Sequence, residues 1–163
     1  MSFVPDTERI IALEDTPELR PSHPHFLSLL SRGPNADGGG EVSLRHLLRQ
    51  ALRMRPDRII LGECRGAEVL EFLQALNTGH RGAMATLHAN SAREALRRLE
   101  LLCLLFAPSP LPTTTIRELL GLGVRWLVHV KKMSEGRKIS ELWKIEGREG
   151  DTILMRPMLE ERP

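Results

Sequence analysis

An α/β fold is predicted, a mostly parallel sheet with an antiparallel, β-rich carboxyl-terminal extension, and three observations predict it. Short apolar runs at residues 9–14, 58–62 and 84–88 alternate with stretches of helical periodicity. Beyond Gly123 the hydrophobic period drops to two, as in antiparallel strands. The 163 residues, 41% hydrophobic and 27% charged, suit one globular domain that buries roughly 70% of its unfolded surface, which excludes wholesale disorder.

Residues 9–14 read as a buried strand ending in the acidic pair Glu14-Asp15, and Pro17, Pro21 and Pro24 rule out a helix directly after it. Residues 32–40 (RGPNADGGG) are the one flexible segment expected, poorly ordered unless something binds there. From Ser43 the chain turns helical: Leu44, Leu47, Leu48, Ala51 and Leu52 share one face, and Pro56 ends the run. A second apolar strand, 58–62, is followed by Glu63. Val69, Leu70, Phe72, Leu73 and Leu76 then mark a helix that closes at Gly79. Residues 84–88 are expected as a third strand. Ser91 and Glu94 form a capping box that opens a helix with the stripe Ala95, Leu96, Leu99, Leu102, Cys103, Phe106. Pro108, Pro110 and Pro112 break it, and Thr115 with Glu118 is expected to cap a shorter helix stopping at Gly121 and Gly123. Trp126, Val128 and Val130 alternate, residues 139–145 alternate less cleanly, Ser134-Glu135-Gly136 makes the turn, and residues 152–155 supply one more short strand.

Charge and composition narrow the function. Twenty-three Lys+Arg against 21 Asp+Glu leave a net charge of +2, too small to argue for a nucleic-acid or membrane surface without clustering. Aromatic residues are 4% and tyrosine is absent, so a base-stacking platform is not expected. Cys64 and Cys103 form no CxxC pair and read as reduced thiols. The longest apolar stretch, residues 99–106, already contains Glu100, and no signal-peptide region follows Met1. A cytoplasmic protein is expected.

Open α/β sheets place ligands outside the carboxyl ends of their strands, and here those ends carry Glu14, Asp15, Glu63 and His88, with His80 just before the third strand. Each alone reads as a solvated strand end or a cap; together they favour a site. In nucleotide hydrolases an apolar strand ending in a carboxylate, as 58–63 does, holds the Mg²⁺ shell or orients the attacking water. Glu14 offers a second acid for a division of labour, or half of a helix-cap pair. No third and fourth ligand stands at structural-zinc spacing from His80 and His88, so no zinc is expected, and hydrogen bonding to a phosphate suits them better. Arg53, Arg55, Arg58 and Arg65 read either as a solvated helix end or as charge for a phosphoryl group, in the same or a neighbouring subunit.

Read as whole segments, these residues resemble a known family. Residues 51–66 (ALRMRPDRIILGECRG) resemble the atypical Walker B segment of the type II/type IV secretion ATPases. Residues 76–80 (LNTGH) with 85–92 (ATLHANSA) resemble that family's histidine box, and 10–19 (IIALEDTPEL) its aspartate box. The wording is nearest the tight-adherence (Flp) pilus branch, the CpaF-like ATPases. The resemblance implies a partial RecA-like P-loop NTPase domain over 1–163: aspartate box 10–19, Walker B 58–63, histidine box 78–91, helices and strands 113–159. It further implies ATP and Mg²⁺ as cofactors and a hexameric homo-oligomer at the cytoplasmic face of the inner membrane. There it would work against a platform protein, with no nucleic acid and with membrane association only through partners, driving pilin assembly or protein export. By the same resemblance Glu63 would be the Walker B acid near a water-shelled Mg²⁺ and Glu14 would position water. His80 and His88 would couple nucleotide state to movement, and Arg53, Arg55 and Arg32 would face a nucleotide of the same or a neighbouring subunit; Arg65, from the basic cluster, is counted with them as a nucleotide-binding residue.

One departure bears on activity. No GxxxxGK[ST] occurs in the sequence, so the nest of N–H groups and the lysine that cradle phosphates are missing from it. The chain looks like the carboxyl-terminal half of such an ATPase, without its phosphate loop and without the family's amino-terminal sensing domain. The expectation that follows is an ATPase half that is inactive when alone; the alternative is a non-catalytic module that docks on full-length motor subunits or the platform.

Overall fold

Ile10-Ile11-Ala12-Leu13 has no polar side chain to leave in water, and it becomes the fully buried centre of a parallel sheet. The structure, a computed structural model, describes residues 3–80 and 82–160. It divides into two compact units, Met1–Leu87 and His88–Pro163.

In the first unit the elements run β1 (Ile10–Glu14), β2 (Phe26–Leu30), α1 (Leu44–Ala51), β3 (Arg58–Leu61), α2 (Glu68–Asn77) and β4 (Met84–Ala85). The sheet order is β2-β1-β3-β4, and every pair in it is parallel. Ile10, Ala12 and Ile60 line one face under Val4, Leu19 and Phe26. Helix α1 is capped by Ser43 Oγ, which accepts from the His46 N–H, and buries Leu44, Leu47, Leu48 and Ala51 as the spacing requires. Glu71 on α2 joins the helices by accepting from Arg45 Nε at 2.8 Å and Arg49 Nη2 at 2.6 Å.

Three local expectations change here. Strand β2 follows the proline-rich stretch without any alternation in Phe-Leu-Ser-Leu-Leu; pairing with β1 creates it. The third strand is two residues rather than five, because β3 offers only Ile60 and Leu61 as partners before Gly62 ends it. The glycine-rich loop is closed by its own bonds. Arg32 and Val42 pair antiparallel, Asn35 Oδ1 accepts from the Gly39 N–H at 2.8 Å, and Arg32 donates to the Gly40 carbonyl.

In the second unit come α3 (Ala92–Phe106), α4 (Thr113–Gly123), β5 (Trp126–Met133), β6 (Gly136–Glu149) and β7 (Thr152–Glu160). The strands form a separate antiparallel sheet, β5-β6-β7. Its core gathers Leu96, Leu99, Leu102 and Cys103 of α3 with Ile116 and Leu120 of α4 and Ile145 of β6. Ser91 caps α3 as expected, accepting from the Glu94 N–H. Helix α4 begins at Thr113, ahead of the expected cap at Thr115. Pro112 presets the first turn, and its carbonyl accepts from Thr115 and Ile116 with no side-chain cap. Strand β7 runs to Glu160 despite Pro157, which an edge strand tolerates because one row of its N–H groups needs no partner. Register shifts within β6, at Leu142/Trp143 and Ile145/Gly147, account for the blurred alternation there.

Candidate functional site

Parallel strands put all their carboxyl ends on one edge, and the first unit collects its acids there. Glu14 ends β1; Asp15 follows it. Glu63 stands two residues beyond β3. Gly62 lets the two strand ends close in: a Cβ at this position would lie 3.1 Å from the Leu13 carbonyl oxygen. The Gly62 N–H donates to that same oxygen at 2.8 Å, and Thr86 Oγ1 donates to the Gly62 carbonyl.

The acids do different work. Glu14 is 3% exposed. One of its oxygens accepts from the Glu18 and Leu19 N–H groups at 2.9 Å each, and the other accepts from Ser28 Oγ at 3.0 Å. The Glu14 carboxylate is turned toward its own β1–β2 connection and Ser28 of β2, where three donors hold it. Asp15 and Glu63 are the accessible pair, each with about a third of its side chain exposed. Arg65 joins them: Nη2 lies 2.5 Å from Asp15 Oδ2, and Nη1 lies 3.6 Å from Glu63 Oε2. The Arg65 main chain is itself fixed, because Glu68 Oε1 accepts from the Arg65 and Gly66 N–H groups at 2.7 Å each. Ser31 Oγ donates to Asp15 from the end of β2.

The remaining expected residues are placed as follows. Arg32 lies past the end of β2 on this edge, with its guanidinium on the Gly40 carbonyl. Arg53 and Arg55 precede β3, so within this unit they sit at the opposite edge of the sheet from Glu63. Arg55 holds a left-handed backbone, φ 54°. His80 precedes β4 and belongs to that opposite edge as well. Its Nδ1 is buried with no hydrogen-bond partner among the described residues. His88 opens the second unit, lining a groove there with Asn90, Glu94, Arg97, Arg98 and Leu101. Among the described residues no three His, Cys, Asp or Glu side chains cluster to hold a metal directly.

Ser28, Ser31 and Thr86 were not anticipated as parts of this edge. A lone serine among apolar residues in 26–30 is the one available signal, since a polar position in a strand against a buried acid needs a partner.

Comparison with known proteins fits this arrangement. The family described as "Type II/IV secretion system protein" matches residues 1–109. A Mycobacterium tuberculosis protein named for conjugal transfer is 47% identical over 152 residues, 91% of this chain and 42% of that protein. The type IV secretion system protein PtlH of Bordetella pertussis is 40% identical over 150 residues, 88% of this chain and 44% of that protein. Among solved structures, the VirB11 ATPase from the Brucella suis type IV secretion system, in complex with sulphate, superposes with a TM-score of 0.72. That match is 36% identical and covers 86% of this chain and 42% of the other. The chain thus spans less than half the length of the curated relatives it matches.

Proposed function

The chain belongs to the type II/IV secretion system protein family and carries its RecA-like α/β fold, and we propose that it forms the Walker B half of an ATP-driven secretion motor. The observation that supports this most directly is the bridged acid pair, Asp15 and Glu63 joined by Arg65 at the carboxyl edge of a parallel sheet. Hard carboxylate oxygens, too few to enclose a metal, suit a cation that keeps its water shell and binds phosphate oxygens as well. Glu63 would hold a Mg²⁺–ATP complex through water, with Asp15 beside it; when bound, the ion supplies charge neutralisation to the phosphates.

The chain's own residues set up that edge. Arg65 keeps two neighbouring carboxylates from repelling each other and fixes their direction. Glu14 anchors the β1–β2 connection so that Asp15 emerges at a constant place. His80, whose buried Nδ1 lacks a partner among the described residues, would gain a hydrogen bond when the nucleotide state changes. Arg53 and Arg55, on the far edge from Glu63, are better placed for a neighbouring subunit's nucleotide than for their own. A hexameric ring at the cytoplasmic membrane face, contact with a platform protein, and a macromolecular cargo belong to the same proposal. The relatives named for conjugal transfer and type IV secretion support export of such cargo, and the tight-adherence resemblance suggests pilin as one candidate.

The test is steady-state ATP hydrolysis by this chain alone and by the chain joined to a phosphate-loop segment from a conjugal transfer relative. The chain alone should show no turnover. The joined form should hydrolyse ATP with Mg²⁺, and Glu63→Gln should reduce that rate by about 10²–10³-fold. An inactive joined form with intact circular dichroism would point to a docking module instead.

A further inference from the structure

The β5–β6 hairpin carries charges whose placement costs stability, and its own packing compensates one of them. Across the ladder Lys131 faces Lys138 and Lys132 faces Arg137. Directly opposed like charges destabilise a hairpin, and here two such pairs follow one another. Lys138 finds an acid, its Nζ 2.6 Å from Glu135 Oε2. Lys131, Lys132 and Arg137 have no ion-pair partner among the described residues. Lysines on an edge strand deter unwanted pairing, which accounts for Lys131 and Lys132 on β5. It does not account for Arg137 and Lys138, which lie on the central strand β6.

Successive strand residues point to opposite faces, so one cationic pair lies on each side of the ribbon tip. Met133 stands at the apex, beside the turn at Ser134 and Glu135, and is exposed. Behind the tip, Val128, Val130 and Ile139 each leave about half of their surface in water. An acidic protein segment laid on one face would meet two of the four cations. A surface into which the tip dips meets all four, together with the apolar apex.

We propose that this hairpin tip docks on an anionic phospholipid surface, with Met133 at headgroup depth and Lys131, Lys132, Arg137 and Lys138 against the lipid phosphates. The site is independent of the ATP reading, and it places a direct membrane contact in the chain itself, where membrane association only through partners was expected.

Co-sedimentation of the chain with vesicles tests it. Vesicles of phosphatidylcholine alone should leave the protein in solution; vesicles that also contain phosphatidylglycerol should carry it down, less so as salt rises. Lys132→Gln with Arg137→Gln should weaken that binding by roughly fivefold per charge removed. Arg97→Gln with Arg98→Gln on α3 removes the same charge elsewhere and should leave it unchanged. Met133→Ser should weaken vesicle binding while leaving any binding to polyglutamate or single-stranded DNA as it was. Circular dichroism checks that each variant is folded. Equal binding to neutral vesicles, no binding to anionic ones, or equal loss in the α3 variant would each overturn the proposal. So would vesicle binding indifferent to Met133→Ser and displaced by polyglutamate or DNA, which would assign the tip to a soluble polyanion.

Discussion

At the residue scale the two acids of the first strand separate into different roles. Glu14 is buried and holds three donors; Asp15, its neighbour, is accessible and meets Arg65. Removing the Glu14 carboxylate strands the Glu18 and Leu19 amides and the Ser28 hydroxyl, each a part-buried donor whose lost partner is costly. Glu14→Ala should therefore lower stability by about 2–4 kcal/mol in urea unfolding, and Glu14→Gln, which keeps one acceptor oxygen, by clearly less. If Glu14 served only to activate water, both variants would unfold at the wild-type urea concentration. The sequence marked the strand end and its acids correctly, because an apolar run stopping at Glu-Asp is a local pattern. It could not distribute the work between them. Ser28 is 14 residues away and Arg65 is 50 from Asp15, so their meeting depends on sheet pairing.

At the element scale the close approach of β1 and β3 depends on a residue with no side chain. Gly62 accepts from Thr86 and donates to Leu13, and an added methyl would press on the Leu13 carbonyl oxygen and on Glu14 Cγ at 3.4 Å. Gly62→Ala should cost about 1–3 kcal/mol, the usual penalty for overpacking, because the obstacle is main chain in a central strand and cannot rotate aside. Thermal unfolding measures it; an unchanged midpoint would mean that the strand ends are looser than they stand here. Helices were the most legible elements. The α1 stripe and the Ser43 and Ser91 caps lie within a few residues of one another, and the structure reproduces them. Strands were less so. β2 has no period of its own, β4 is cut short by its partner, and β7 outlasts its proline because it lies on an edge.

At the scale of the whole molecule, one buried thiol should leave its mark on stability. Burial, and then the charge of Glu100, push Cys103 up from 9.0 to about 11. The folded state thus keeps a proton that the unfolded chain releases above pH 9 or so, and stability from this group, complete below that pH, is lost as pH climbs through about 11. The folding equilibrium should fall by at most about tenfold per pH unit across that window on this account. Cys103→Ala should flatten the decline, as read by urea unfolding across that pH range. A decline of the same slope in Cys103→Ala would show that this thiol does not cause it. By itself the sequence determined the α/β class, the order of every strand and helix except β2, and the motifs that mark the family, because apolar period, caps and strand-end acids are written within short stretches of chain. Only the tertiary structure decided that the antiparallel strands form their own sheet, that Glu14 faces inward while Arg65 bridges Asp15 to Glu63, and that Arg53 and Arg55 occupy the opposite edge from them. Those outcomes depend on which strands lie side by side and in which direction. Pairing is settled by burial and hydrogen bonding between residues tens of positions apart, which no local pattern encodes.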